Sequence, residues 1–270
     1  MSSPWGDLDR PPLRERALRT ALVTAGSPWT DLRVVGETGS TNADVADAAR
    51  RGAPEGLVVA AEVQTAGRGR AGRVWEAPLR SGLAVSVLLR PPFGTRPSWG
   101  WLPLLAGLAV AEPLREMSGL DVGLKWPNDV LVDGRKLAGL LAEVVGDAVV
   151  VGLGLNVSLR QDELPVPTAT SLLLAGSAVT DREPVLRAVL RDLGARYRSF
   201  VAAGGDVVAT GDATAYRSRC TTIGVQVRVL LPGGREVEGE AVDVDDAGRL
   251  VVRTGGGLQA LAAGDVVHLR

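Results

Sequence analysis

Cysteine and histidine are almost missing from this chain: 270 residues carry one of each, Cys220 and His268. Neither a disulfide framework nor a Cys/His zinc site can be assembled from that inventory. A single thiol fits a reducing compartment, so a cytoplasmic protein is expected. An excess of either charge is missing too, since 30 basic and 31 acidic side chains leave a formal net charge of -1. Such a chain projects no broad field toward DNA or an anionic membrane, and any anion must be bound locally. Long apolar runs are also lacking. The most apolar uncharged stretch, residues 97–111, falls short of the ~20 residues that a membrane helix needs. The segment Met1 to Asp7 has no basic-then-apolar leader pattern. No fixed-period repeat is present. A hydrophobic fraction of 46% is that of a globular chain, long enough for one sizeable domain and one small one.

Scarcity is also informative among the polar residues. Only two of the 30 basic side chains are lysine, Lys125 and Lys136, and asparagine occurs three times, at Asn42, Asn128 and Asn156. The chain otherwise favours Arg, Ala, Val, Gly and Leu. Each Lys and Asn is therefore expected to be held for a reason.

The order of elements follows from periodicity and punctuation. Pro11-Pro12 opens a helix over Leu13 to Ala25, which Gly26 stops. Leu32 to Val35 is a short strand. Ala43 to Arg51 is a helix preceded by Ser40-Thr41-Asn42 and stopped by Gly52. Leu57 to Val63 and Leu83 to Leu89 are strands, and Trp99 to Met117 is a buried helix. Val130 to Val132 and Arg135 to Leu137 flank an Asp133-Gly134 hairpin turn. Leu140 to Val145 and Val149 to Leu155 are strands. Glu183 to Ala203 and Val207 to Arg219 are helical. From Thr221 onward Val225, Val227 and Val229 alternate with polar residues. Turns at Pro232-Gly233-Gly234, Asp246-Ala247-Gly248 and Gly255-Gly256-Gly257 separate short strands, as in a small all-β barrel. Antiparallel strands mixed with helices predict an α+β fold, divided into residues 1–220 and a barrel over 221–270.

Three segments carry chemistry. Gly67-Arg68-Gly69-Arg70-Ala71-Gly72-Arg73 matches G-x-G-x-x-G formally. A dinucleotide fold is excluded because no helix follows, and no Asp or Glu occurs between Glu76 and Glu112 to take a ribose. The G-K-[ST] ending of a phosphate-binding P-loop is missing as well. What remains is a loop that offers backbone N–H groups and three guanidinium groups to an anion, or else a solvated basic loop. Trp75 at its end suits a planar base. Ser40-Thr41-Asn42 can cap a helix, or can read an uncharged polar ligand such as a cyclic urea. Lys125-Trp126-Pro127-Asn128-Asp129 precedes the hairpin that bears Lys136. Its two strands are expected to bring the lysines together, either as a clamp on an acyl phosphate or as solvated neighbours of a turn. Asn156 ends an apolar strand, where polar groups meet ligands or turn the chain.

Ser40-Thr41-Asn42, Gln64-Thr65-Ala66 with the Gly/Arg loop through Trp75, Lys125-Trp126-Pro127-Asn128-Asp129, Lys136-Leu137-Ala138-Gly139 and Gly154-Leu155-Asn156 together resemble biotin–protein ligases. The match runs in order from about residue 33 to the end, where Gly264 to Arg270 resembles the family's C-terminal barrel. The resemblance implies a catalytic domain like that of class II aminoacyl-tRNA synthetases, followed by an SH3-like barrel. It implies activation of biotin by ATP and Mg2+ to biotinyl-5′-AMP, and transfer to a lysine on the biotin carboxyl carrier domain of a carboxylase. Ser40, Thr41, Asn42, Gln64, Arg68 and Arg70 would line the biotin side, and Lys136 would meet both the carboxylate and the α-phosphate. Trp75, Asn128 and Asn156 would contact the nucleotide, together with Arg68 and Arg70. Arg68, Arg70, Lys125 and Lys136 would neutralise charge during reaction, and Asp129 would orient or deprotonate the acceptor lysine. Repressor members carry an N-terminal DNA-reading domain. About 32 residues precede the first strand here, so specific DNA binding is not expected. A monomer or weak homodimer without membrane attachment is expected. A lipoate-type ligase of the same fold and a non-enzymatic biotin sensor are the alternatives.

Overall fold

The computed structural model describes residues 9–92 and 96–269. The leader segment read above and Arg270 lie outside the described residues. Helix α1 (Glu15–Leu22) leads to β1 (Asp31–Val35), α2 (Thr41–Arg50) and β2 (Leu57–Ala61). β3 (Gly82–Leu89) and α3 (Leu102–Ser118) follow, then β4 (Val122–Lys125), β5 (Asp129–Val132), β6 (Arg135–Val145) and β7 (Ala148–Asn156). These seven strands form one sheet in the order β1-β2-β3-β7-β6-β5-β4. Only β1 and β2 run parallel. Helices α4 (Arg182–Ala202) and α5 (Asp212–Arg219) complete the first unit. Strands β8 (Gln226–Leu230), β9 (Glu236–Val244), β10 (Leu250–Thr254), β11 (Gly257–Leu261) and β12 (Asp265–His268) form a second, five-stranded antiparallel sheet. The α+β expectation is met.

Strand β7 shows how sequence alternation positions the site. Val149, Val151 and Leu155 enter the main core with α3 and α4. The other face reads Ala148, Val150, Gly152, Gly154, Asn156. Successive side chains of a strand point to opposite faces. Ala148 and Val150 therefore lie under α2, in a small cluster with Val45, Ala46, Ala49 and Leu88. Beyond the start of α2 that face carries only glycines and an asparagine. One helix covers one end of the sheet face, and the rest is left as the floor of a cavity.

Three readings of the sequence are corrected. Arg135 to Leu137 and Leu140 to Val145 are one continuous strand, β6, because a glycine at 139 continues the pleat instead of ending it. Residues 207–211 form turns, with Asp206 accepting from the amides of Val208 and Ala209, and the helix starts only at Asp212. Lys125 does not share a hairpin with Lys136. It lies one strand further out on β4, opposite Asp129.

The C-terminal unit is attached by buried tryptophans. The indole of Trp101 donates to the Asp246 carbonyl at 2.9 Å and that of Trp126 to the Gly248 carbonyl at 2.9 Å. Both rings are essentially inaccessible to solvent, and each satisfies its one polar group on the same turn. Gly248 has φ +77°, and a β-carbon there would meet the Gly100 backbone at 3.2 Å. The turn therefore requires glycine.

Candidate active site

The open half of the sheet face is a cavity of about 860 Å³. All twelve residues that the sequence singles out line it: Ser40, Thr41, Asn42, Gln64, Arg68, Arg70, Trp75, Lys125, Asn128, Asp129, Lys136 and Asn156. They come from a helix start, the loop from Gln64 to Trp75 and four strands or strand ends, so the convergence is a property of the fold.

At one end stands the first turn of α2. Ser40 occupies the N-cap position in an extended conformation and its side chain makes no capping bond. Ser40, Thr41 and Asn42 are all buried. Thr41 N–H donates to Gln64 Oε1 at 2.8 Å, and Asn42 Nδ2 donates to Glu143 Oε2 at 2.7 Å. This end is polar and, apart from Glu143, uncharged.

The Gly/Arg loop forms a small hairpin over the cavity. Trp75 N–H donates to the Gly67 carbonyl at 2.9 Å, and Gly69 N–H to the Arg73 carbonyl at 2.6 Å. At the tip Ala71 and Gly72 take φ values of 55° and 74°. A β-carbon at Gly67 would lie 2.3 Å from the Trp75 carbonyl oxygen, so the close approach of the two arms dictates that glycine. Arg73 pairs with Asp265 of β12 at 2.6 Å and ties the hairpin to the C-terminal sheet. Arg70 donates to Asn128 Oδ1 at 3.2 Å. Trp75 is half-buried and lies on the floor where Gly139 and Gly154 face each other across β6 and β7.

The middle of the cavity is cationic. Lys136 Nζ lies 2.6 Å from Asp129 Oδ1 and 5.8 Å from the centre of the Trp75 ring. Burial pulls the Arg70 guanidinium below its usual value, with Asp265 opposing that trend. Burial likewise lowers the Lys125 ammonium, and Asp129 partly offsets it. Cations stripped of water without a full set of counter-charges are prepared for an anionic ligand. At the far end His268 Nε2 lies 3.3 Å from Thr222 Oγ1, and burial followed by the nearby Lys125 lowers its pKa. Among the described residues no group of three His, Cys, Asp or Glu side chains could hold a metal.

Several wall residues carry no sequence signal. Pro165, Val166, Thr168 and Ala169 line the cavity because Lys136 N–H donates to the Thr168 carbonyl and Thr170 N–H to the Lys136 carbonyl, each at 2.8 Å. Asn156 fixes the same segment by donating to the Thr170 carbonyl at 2.8 Å. Nothing periodic or compositional marks this loop. Val266, Val267 and His268 reach the cavity from the second unit. The sole histidine was conspicuous in the composition, yet its position depends on docking between units.

The floor has no room for a side chain at Gly154: a β-carbon there would lie 2.3 Å from Trp75 Cε2. Gly154→Ala is therefore expected to lift the indole and, where Trp75 stacks on a nucleotide base as the resemblance implies, to raise the KM for nucleotide by about tenfold or more, the effect of losing one stacked contact of roughly 1–3 kcal/mol. Steady-state kinetics with varied nucleotide checks this, and an unchanged KM would remove Trp75 from the nucleotide site.

The sequence profile of the Biotin/lipoate A/B protein ligase family matches residues 38–157, and that of the Biotin protein ligase C terminal domain matches residues 222–269. The chain is 50% identical over 265 residues to a biotin--[acetyl-CoA-carboxylase] ligase of Mycobacterium tuberculosis, covering 97% of both proteins. It is 33% identical over 237 residues to the bifunctional ligase/repressor BirA of Bacillus subtilis, covering 84% of this chain and 70% of that protein. Among solved structures, the biotin protein ligase from Aquifex aeolicus in complex with biotin and ATP superposes with a TM-score of 0.75 at 30% identity, covering 90% of this chain and 100% of that one.

Proposed function

The chain belongs to the biotin/lipoate A/B protein ligase family, and from that premise we propose how its cavity works as a biotin–protein ligase. The enzyme activates biotin with ATP and transfers it to a lysine of a carboxylase. The biotin carboxylate attacks the α-phosphorus of MgATP, forming biotinyl-5′-AMP and releasing pyrophosphate. The ε-amine of the acceptor lysine then attacks the acyl carbon, an amide forms, and AMP leaves with the electrons of the broken C–O bond. The observation that carries this reading is one cavity with an uncharged polar end, a desolvated cationic middle and a hairpin across it.

Biotin's ureido ring meets Ser40, Thr41 and Gln64. Its carboxylate reaches Lys136 and Arg70, and Arg68 on the hairpin arm adds a donor for the phosphate. The adenosine packs against Trp75, Asn156 and the Pro165 to Ala169 segment. Asn128 holds Arg70 toward the α-phosphate, and Lys125 faces the departing pyrophosphate. Asp129 is already engaged by Lys136 and by Asn128 Nδ2 at 3.1 Å. Its first task is therefore to hold Lys136, and proton removal from the acceptor amine is secondary to that. Mg2+ arrives with the nucleotide as substrate.

The acceptor is a biotin carboxyl carrier domain. The enzyme binds no specific DNA, acts in the cytoplasm and is a monomer or weak homodimer; among the described residues no helix is long and apolar enough to cross a membrane. Residues 1–220 form the catalytic unit and 221–270 a barrel that buttresses the hairpin.

ATP–pyrophosphate exchange tests the reading. Exchange is expected to require biotin and not to be supported by lipoate. Exchange supported by lipoate and not by biotin would assign the lipoate branch of the family.

A further inference from the structure

Among the described residues, the second unit brings one ionisable side chain into the cavity, and the proposed steps leave it unused. His268 ends β12 and lines the far end of the cavity beside Lys125 of β4. Lys125 forms no ion pair among the described residues, and burial lowers its pKa. Burial first, and the Lys125 ammonium second, keep the imidazole neutral.

The charged groups on the surrounding elements have partners of their own. Asp129 of β5 is held by Lys136 at 2.6 Å, and Asp265 of β12 by Arg73 at 2.6 Å. Asp121, just before β4, pairs with Arg115, and Arg228 of β8 pairs with Glu238 at 2.5 Å. Cys220, which bridges to Leu124 of β4, is kept a neutral thiol by burial. The imidazole therefore has no carboxylate of its own to hold a proton on it. An entering polyphosphate supplies that missing charge, because an anion within ~4–6 Å favours the protonated form.

The hydrogen bonding of the ring accommodates either state. His268 Nε2 lies 3.3 Å from Thr222 Oγ1, which accepts the Trp126 amide hydrogen at 3.1 Å. A hydroxyl oxygen has a second lone pair as well as its hydrogen. Thr222 can accept from a protonated Nε2 as well as donate to a bare one, so the ring gains a proton without losing its partner.

We propose that His268 binds the pyrophosphoryl end of ATP beside Lys125 and takes up a proton as that anion enters. The proposal rests on the reading that Lys125 faces the departing pyrophosphate. The proton comes from solvent and returns to it when pyrophosphate leaves, so none is consumed over the cycle. Free His268 titrates below the ordinary histidine value, and the bound ring titrates above the free one. Affinity for the triphosphate therefore rises as pH falls through that window, and His268 adds nothing above it.

The experiment uses the chain's single histidine. Proton NMR of its ring C–H groups gives the titration midpoint in two complexes, both containing the alcohol analogue of biotin, one with MgATP and one with AMP. The alcohol has no carboxylate to activate, so ATP stays whole, and AMP lacks the pyrophosphoryl end. The midpoint is expected to be higher with ATP by about one pH unit or more. The KM for MgATP in pyrophosphate exchange is also measured for wild type and His268→Gln at about pH 6 and about pH 8, on either side of the ordinary histidine value. Comparing the two proteins at each pH cancels the titration of the nucleotide. The wild type's advantage is expected to be about three- to tenfold at the lower pH and to vanish at the higher, with the KM for biotin within about twofold throughout. Equal midpoints in the two complexes overturn the proposal, because the polyphosphate then does not reach the ring. A difference between the proteins that does not change with pH also overturns it, because the side chain then acts through packing or not at all. Wild type without biotin-dependent exchange would instead overturn the functional reading beneath it.

Discussion

Lys136→Arg is expected to lower biotin-dependent pyrophosphate exchange by roughly 10²–10³-fold although the charge is kept, the range seen when a preorganised donor leaves a developing charge. The ammonium sits in a confined place. It bonds Asp129 at 2.6 Å and faces the Trp75 ring at 5.8 Å. A β-carbon at Gly139 would already lie 3.2 Å from both Nζ and Trp75 Cζ3. A guanidinium is larger, planar and pre-set for two parallel bonds. Fitting it above Gly139 would shift the indole, the Asp129 contact or both. Fold stability should change little, because the side chain stands on the open face and not in the main core. Steady-state exchange together with a melting curve checks this. Near-normal exchange would show that only the positive charge matters at this position.

How far this site was legible in the sequence depended on which physical constraint each residue answers to. Residues that must be glycine, lysine or asparagine for a local reason stood out against a background poor in Lys and Asn. Those were Lys136, Asn128, Asn156 and the glycines of the Gly/Arg loop. The β strands with strong alternation were equally plain, and β7 even carried the reason for the cavity in its Gly-x-Gly-x-Asn ending. Ser86 and Glu143 were not legible. Each is an ordinary residue on an ordinary strand, and each meets Asn42 only when β3, β7 and β6 come side by side and α2 descends on them. The Pro165 to Ala169 wall and His268 were missed for the same reason, since long-range pairing brings them in. Lys125 and Lys136 do converge on Asp129, but not through one hairpin: the sequence shows a hairpin at Asp133-Gly134 and gives no sign that β4 stands outside it. Motif residues announce chemistry, whereas the supports that orient them belong to the topology.

Arg70→Gly is expected to separate making the adenylate from keeping it. The guanidinium reaches from the hairpin to Asn128 at 3.2 Å and, among the described residues, forms no ion pair. Burial already disfavours its charge. Under the proposed function it is the cation that meets the adenylate phosphate, carried on the hairpin that lies over the cavity. Losing one charged hydrogen bond to a ligand costs roughly 1.5–3 kcal/mol. Falling on the release step, that becomes on the order of ten- to a hundredfold faster escape of biotinyl-5′-AMP. Lys136, Lys125 and Arg68 remain, so the first step survives in part. The Arg73 to Asp265 contact also remains, so the hairpin stays tethered beside its tip while losing its hold on the adenylate. Freed mixed anhydride acylates any accessible amine. Wild type and variant are incubated with biotin, MgATP and a protein that is not a carboxylase carrier, and biotin on that bystander is measured. The variant should label it well above wild type while its labelling of the true acceptor falls. If labelling falls on acceptor and bystander alike and no adenylate appears in solution, Arg70 stabilises charge in the first step and has no part in retention. The hairpin would then owe its closure to Trp75 and the Arg73 tether.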